Sequence, residues 1–380
     1  MAVCGYVVLV AAVLTALATV LAGVGLGLRR LFGISHLPTE DILVAPWAGL
    51  AVVIAALQIW HLVLPIDGRA LALVVALGAA GFLINLRPLA GALPGALAGR
   101  WRGILVLFVW ILWVAAHTTT QARVLDSGLY HFNSIRWNCT YPIVPGLGNL
   151  HGRLAFNSSY FLYAALFNSG ILSGRCHHIA NGLLLVLLFA RILPAVWKVV
   201  SWSEEPRTWH VFDALMLAPA IGYTLSEAAS SPTPDLAVSI IGMVAASEVL
   251  RLLSEPAARR WDGQQLGWRA AMVLLLAATG VTIKLSFTGL ACAAGALAVA
   301  TLGRRAVRPA AGAGLLCGTS LGVVIILGMW LLRGVILSGY PVYPLAFCGL
   351  PVEWRMPRET VQLHGAWVRS WARLPGFPPD

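Results

Sequence analysis

The chain has 380 residues, 59% of them hydrophobic and only 11% charged, with a mean hydropathy of +0.82. A soluble domain carries about 25% charged residues, so a soluble globular protein is excluded, and the absence of short alternating strands excludes a membrane β-barrel. The formal net charge of +11 reads as basic loops that hold a membrane topology rather than as a surface for nucleic acid.

Apolar runs of about twenty residues recur, each long enough to cross roughly 30 Å of hydrocarbon. They predict an all-α polytopic bundle of about ten crossings. The first run, near 5–28, lacks a basic leader and is too long for a signal peptide, so it reads as a retained helix. Arg29 and Arg30 close it. A second helix is expected near 42–64 and a third near 70–86, followed by a Pro/Gly/Arg loop with Arg87, Arg100 and Arg102. Residues 1–102 thus form a unit of three N-terminal helices. A fourth helix near 103–116 opens a core spanning about 103–337. Basic loops stay in the cytoplasm, which places the N-terminus and a large loop, about 118–177, on the extracytoplasmic side.

The stretch 157–172 is apolar enough to cross. If it crossed, every later basic cluster, including Arg259-Arg260 and Arg304-Arg305, would lie outside. If it does not, all of them fall inside, as the charge rule prefers. It is therefore expected to be an amphipathic or half-inserted helix on the outer face, where Asn157, Ser158, Ser159, Tyr160, Tyr163 and Asn168 suit an interfacial position. Helices five to ten follow near 179–199, 211–229, 236–253, 268–283, 285–302 and 314–337. A Pro/Trp-rich tail, about 338–380, lies outside with the loop; its prolines rule out a spanning helix, and 361–373 fits an interfacial helix. The chain ends with this tail, as a truncated chain would.

The large loop concentrates the chemistry. Asp126, Tyr130, His131, Arg136, Trp137, Asn149, His151, Arg153 and Asn157 fall in one window. A carboxylate bordering lipid is a functional candidate by default, and Asp126 is placed to act as a general base; the alternative, compatible with it, is a helix cap. Outward arginines run against the charge bias, and phosphate is the natural partner of their planar fork. Asp235, in the turn Ser231-Pro232-Thr233-Pro234-Asp235, is a cap or a substrate contact, and Lys284 either snorkels or meets a lipid phosphate. Tyr340 and Tyr343 in the tail are further binding candidates. The six cysteines form no CxxC, so no zinc or redox motif is readable; one disulfide among Cys139, Cys176 and Cys348 stays open. Asp126, His131 and His151 lack metal-ligand spacing, so no metal site is assigned, although a divalent cation stays open as a cofactor.

The order of these features, an acidic residue after an inside-to-outside helix, a large outer loop with a membrane-lying helix, then a bundle, resembles the GT-C superfamily of integral membrane glycosyltransferases. The motifs Asp126-Ser127-Gly128-Leu129-Tyr130-His131, Val144 to Arg153, Phe156-Asn157-Ser158-Ser159, Thr282-Ile283-Lys284 and Gly339-Tyr340-Pro341-Val342-Tyr343-Pro344 resemble more closely an uncharacterised family of bacterial membrane proteins. The acidic pair common in the transferases is here a single Asp126 followed by Ser127, and Phe156-Asn157-Ser158 stands where they carry a basic residue and two prolines. The resemblance implies a bacterial inner-membrane enzyme that takes sugar from a polyprenyl-phosphate or other lipid-linked donor on the outer face. It implies Asp126 as the catalytic residue, with Arg136, Arg153 and Lys284 near the phosphate and Tyr130, Trp137 and Tyr343 against the sugar. The other class that fits is a lipid-linked-glycan carrier or flippase, or a non-catalytic subunit of a membrane complex.

Overall fold

A computed structural model describes residues 2–34, 37–97, 99–201, 205–254, 263–304 and 309–371. Arg259, Arg260 and Arg305, basic residues used for the topology, and Arg373, at the end of the expected interfacial helix 361–373, lie outside the described residues. Among the described residues the chain is helical throughout, without strands.

Helix α1 (Ala2–Leu31) and α2 (Thr39–Trp60) pack along their length, with α3 (Gly68–Ile84) on the other flank of α1. Glycine makes the close approach possible. A Cβ on Gly25 would overlap the carbonyl of Ala45, one on Gly49 that of Leu21, and one on Gly81 that of Gly23. After Asn85 the chain bends by 67° into α4 (Leu86–Leu97). The expected Pro/Gly/Arg loop is therefore largely helical. Then α5 (Trp101–Thr118) runs back to deliver the chain to the large loop.

The loop holds three short helices, α6 (Phe132–Thr140), α7 (Leu147–Leu150) and α8 (Tyr160–Leu166). The bundle continues with α9 (His177–Ser201) and a helix broken at Met216 into α10 (Thr208–Leu215) and α11 (Leu217–Leu225). It closes with α12 (Pro234–Ser254), α13 (Gly263–Ile283), α14 (Thr288–Arg304) and α15 (Pro309–Ser338), and the tail carries α16 (Arg358–Trp371). Eight described helices are long and apolar enough to cross a membrane, nine if the bent pair α3–α4 counts as one span. The protein is a multi-pass membrane helix bundle.

One expectation needs correction. The stretch 157–172 does not cross, but it is not an amphipathic surface helix either. Residues Tyr160 to Phe167 are all buried, so α8 plugs the end of the bundle. The Tyr160 hydroxyl donates to Asn181 Oδ1 at 2.8 Å and that of Tyr163 to the Ala180 carbonyl at 2.9 Å. These polar tips look like an interfacial face in the sequence, yet here they meet partners on α9. No disulfide forms: all six cysteines are free, and Cys139 and Asn168 pack as a hydrogen-bonded pair instead.

Backbone contacts tie the loop and tail to one end of the bundle. The Ile66 amide donates to Asn138 O at 2.8 Å, Ile143 to His61 O at 2.8 Å, Ser159 to Thr282 O at 2.9 Å and Gly146 to Ile336 O at 2.8 Å. The opposite end carries a different polar feature. There, Arg29, Arg191, Arg251 and Arg269 face Glu40, Asp41, Asp213 and Glu248 across α1, α2, α9, α10, α12 and α13.

Candidate functional site

The candidate residues gather at the loop end. Asp126 lies at the start of one wide π-type turn, Ser127–His131, a local distortion that recurs at functional sites. Its carboxylate caps nothing. It accepts instead from Arg153 Nη1 at 2.7 Å, with the two side chains 39% and 33% exposed. A pair this exposed contributes only about 0–1 kcal/mol, so it opens readily. The Arg153 guanidinium also lies 5.4 Å from the centre of the Tyr130 ring. An aromatic chain runs on from Tyr130 to Phe156 (5.9 Å) and from Phe156 to Tyr343 (5.8 Å). Tyr343 is buried and hydrogen-bonds through its hydroxyl to His364 Nδ1.

His131 sits behind this surface, buried and T-stacked on Tyr130 at 4.4 Å. Burial is the main cause that pushes its pKa down to about 4, with Asp126 and Asp235 pulling up and Arg153 and Lys284 down. Its Nδ1 has no partner within the described protein, nor has the buried Ser127 hydroxyl. Burial likewise raises the Tyr130 phenol, so it stays protonated. The second acid, Asp235, opens α12 and is ion-paired to Lys284. Tyr130 and His131 therefore lie between two acid–base pairs, Asp126–Arg153 and Asp235–Lys284.

Asn157, Ser158 and Ser159 stitch this region to α13 and α15. Asn157 Nδ2 donates to Trp330 O at 2.6 Å, Ser158 Oγ to Ile283 O at 2.8 Å, and the hydroxyls of Ser159 and Thr282 share a bond of 2.7 Å. His151 Nδ1 accepts from the Arg153 amide at 3.3 Å. Other candidates stand apart. Arg136 is exposed, Trp137 packs against Tyr141, Asn149 donates to Trp354 O at 2.7 Å, and Tyr340 is buried with its hydroxyl on Met356 O. Among the described residues no group of three or more His, Cys, Asp or Glu is arranged to hold a metal ion. Asp126, His131 and His151 therefore do not form a shared metal site.

One residue that the sequence reading passed over belongs here. Arg333, on α15, is only 3% exposed. Its Nη1 donates to His61 Nδ1 at 2.8 Å, and the other ring nitrogen of His61 lies 3.1 Å from the Tyr141 carbonyl. Nδ1 accepts and Nε2–H donates, so His61 is held neutral, and among the described residues Arg333 has no carboxylate partner. Removing an ion from water costs several kcal/mol. The hydrogen bond to His61 offsets about 1.5–3 kcal/mol of this. Arg333 lines a small cavity with Arg153, Asn157, Ser158, Ser134 and Asn138. The signal was present in the sequence: a lone arginine inside an otherwise apolar span.

The chain belongs to the family described as a domain of unknown function (DUF8201), whose model matches residues 7–379. No curated protein and no solved structure matches the chain.

Proposed function

We propose that this is a GT-C-like glycosyltransferase of the bacterial inner membrane, moving a sugar from a polyprenyl-phosphate donor to an acceptor on the extracytoplasmic face. The observation that carries the reading is the exposed Asp126–Arg153 pair set against Tyr130. The donor phosphate competes for Arg153, since a charge-assisted contact to phosphate is at least as strong as one to a carboxylate. Asp126 is then free to take the proton of the acceptor hydroxyl. The acceptor oxygen bonds to the anomeric carbon, the bond from that carbon to the phosphate oxygen breaks, and the prenyl phosphate leaves with the electron pair. Withdrawal of Arg153 also uncovers the face of Tyr130 for the sugar.

The test is Asp126→Asn, assayed in membranes with a panel of decaprenyl-phosphate sugars. Transfer is expected to disappear at unchanged expression, and wild-type turnover would sink the proposal. One observation favours a second reading. Both Asp126 and Asp235 already hold a cation, which suits binding without reaction. A lipid-linked-glycan carrier or accessory subunit would co-purify with prenyl lipid, or with a protein partner, and show no turnover in the wild type.

A further inference from the structure

We propose that the cavity beneath the loop binds an oxyanion of the phosphate class, anchored by Arg333. Two arginines and no carboxylate line it. Arg153 has Asp126 as its counter-charge, but among the described residues Arg333 has only the lone pair of a neutral histidine. The His61 ring is committed on both sides, to Arg333 and to the Tyr141 carbonyl, so it supplies no charge. The remaining N–H groups of the Arg333 fork match two oxygens of one phosphoryl group.

A water would leave the charge uncompensated. Asn157 adds a second requirement. Its amide is oriented by the Trp330 carbonyl, and its buried Oδ1 has no donor. The occupant therefore brings an O–H as well as negative charge, as a hydrogen phosphate does, or a phosphoryl group beside a hydroxyl. The cavity is small, ≈ 20 Å³, which is room for about one water, so one phosphoryl oxygen enters it and the rest of the group lies at its open mouth.

The experiment uses the purified full-length chain in detergent with farnesyl phosphate, inorganic phosphate and uncharged farnesol. Farnesyl phosphate is expected to bind, farnesol not, and Arg333→Gln to weaken binding at least tenfold. Binding of farnesyl phosphate alone identifies a lipid headgroup; equal binding of inorganic phosphate identifies a free anion. Three results overturn the proposal: neither phosphate compound binds, farnesol binds as well as its phosphate, or Arg333→Gln keeps wild-type affinity. If that variant fails to fold, phenylglyoxal labelling of the wild type replaces it. Protection of Arg333 by the bound phosphate compound is expected, and unchanged labelling overturns the assignment. The proposal does not rest on sugar transfer: absent turnover with intact phosphate binding removes the transferase and keeps the anion site, and the reverse pattern removes the anion site alone.

Discussion

Glu248→Gln at the far end of the bundle is expected to be among the most destabilising isosteric changes in the chain. Glu248 is fully buried. It lies 2.7 Å from Arg191, 3.2 Å from Arg269 and 3.8 Å from Arg251. Asp213 reaches Arg191 only at 3.9 Å and through the Ser247 hydroxyl, which donates to it. Neutralising Glu248 therefore strands positive charge that the other acids do not cover. Removing one partner of a buried pair costs about 3–5 kcal/mol, or several degrees of Tm. The assay is thermal unfolding in detergent, followed by tryptophan fluorescence. Arg191→Met should cost a similar amount. The double variant should cost less than the two together, by ~1 kcal/mol or more of coupling. A Tm for Glu248→Gln within about one degree of wild type, or strict additivity, refutes the account of this cluster as an interlocked charge network.

Two further outcomes are expected. Folded His131 stays neutral down to about pH 4, while the unfolded side chain takes a proton near pH 6.5. Its contribution is thus complete above pH 6.5 and is lost as pH falls toward 4, with a slope of at most ~1.4 kcal/mol per pH unit; Tm measured at pH 7 and pH 4.5 should fall more for wild type than for His131→Phe, and equal falls would remove His131 as the cause. Asn181 takes the Tyr160 hydroxyl on Oδ1, and its Nδ2 contacts the carbonyls of Ala228, Ser231 and Thr233. Asn181→Leu should cost about 1–3 kcal/mol for each buried group left bare, and should loosen the turn that presents Asp235, read as a lower Tm and faster proteolysis at 226–235.

Most of the bundle was legible because a membrane span needs only length and apolarity. The spans predicted near 179–199, 236–253 and 314–337 differ from α9, α12 and α15 by a few residues at each end. The loop was less legible for a physical reason. Tyr160, Tyr163 and Asn168 carry the same polar atoms whether they face headgroups or meet partners inside, and only tertiary contact decides. Asp126 and Arg153, 27 residues apart, stood out as charges in one polar loop; their pairing was not visible. Asp213 and Glu248 looked like scattered polar exceptions, since nothing in a linear reading brings them to Arg191. Arg333 was readable by its isolation, and was hidden by the apolar run around it.

The two polar ends differ in charge balance, and that difference yields the last prediction. At the far end four arginines meet four carboxylates, so each arginine stabilises the fold once its neighbours are present. At the loop end Arg333 has no counter-charge among the described residues, so in the unliganded protein it costs stability. Arg333→Met keeps most of the side-chain volume and removes the buried charge, while Arg191→Met removes a charge that is paired. The expected signs are opposite. Arg191→Met should lower the Tm by several degrees. Arg333→Met should leave it unchanged or raise it, with only the His61 lone pair losing a donor, and should abolish the stabilisation by farnesyl phosphate. Sites held ready for a ligand commonly carry such a cost. A drop in Tm for Arg333→Met as large as that for Arg191→Met would mean that Arg333 is part of the fold's own scaffold rather than a cation held for a ligand.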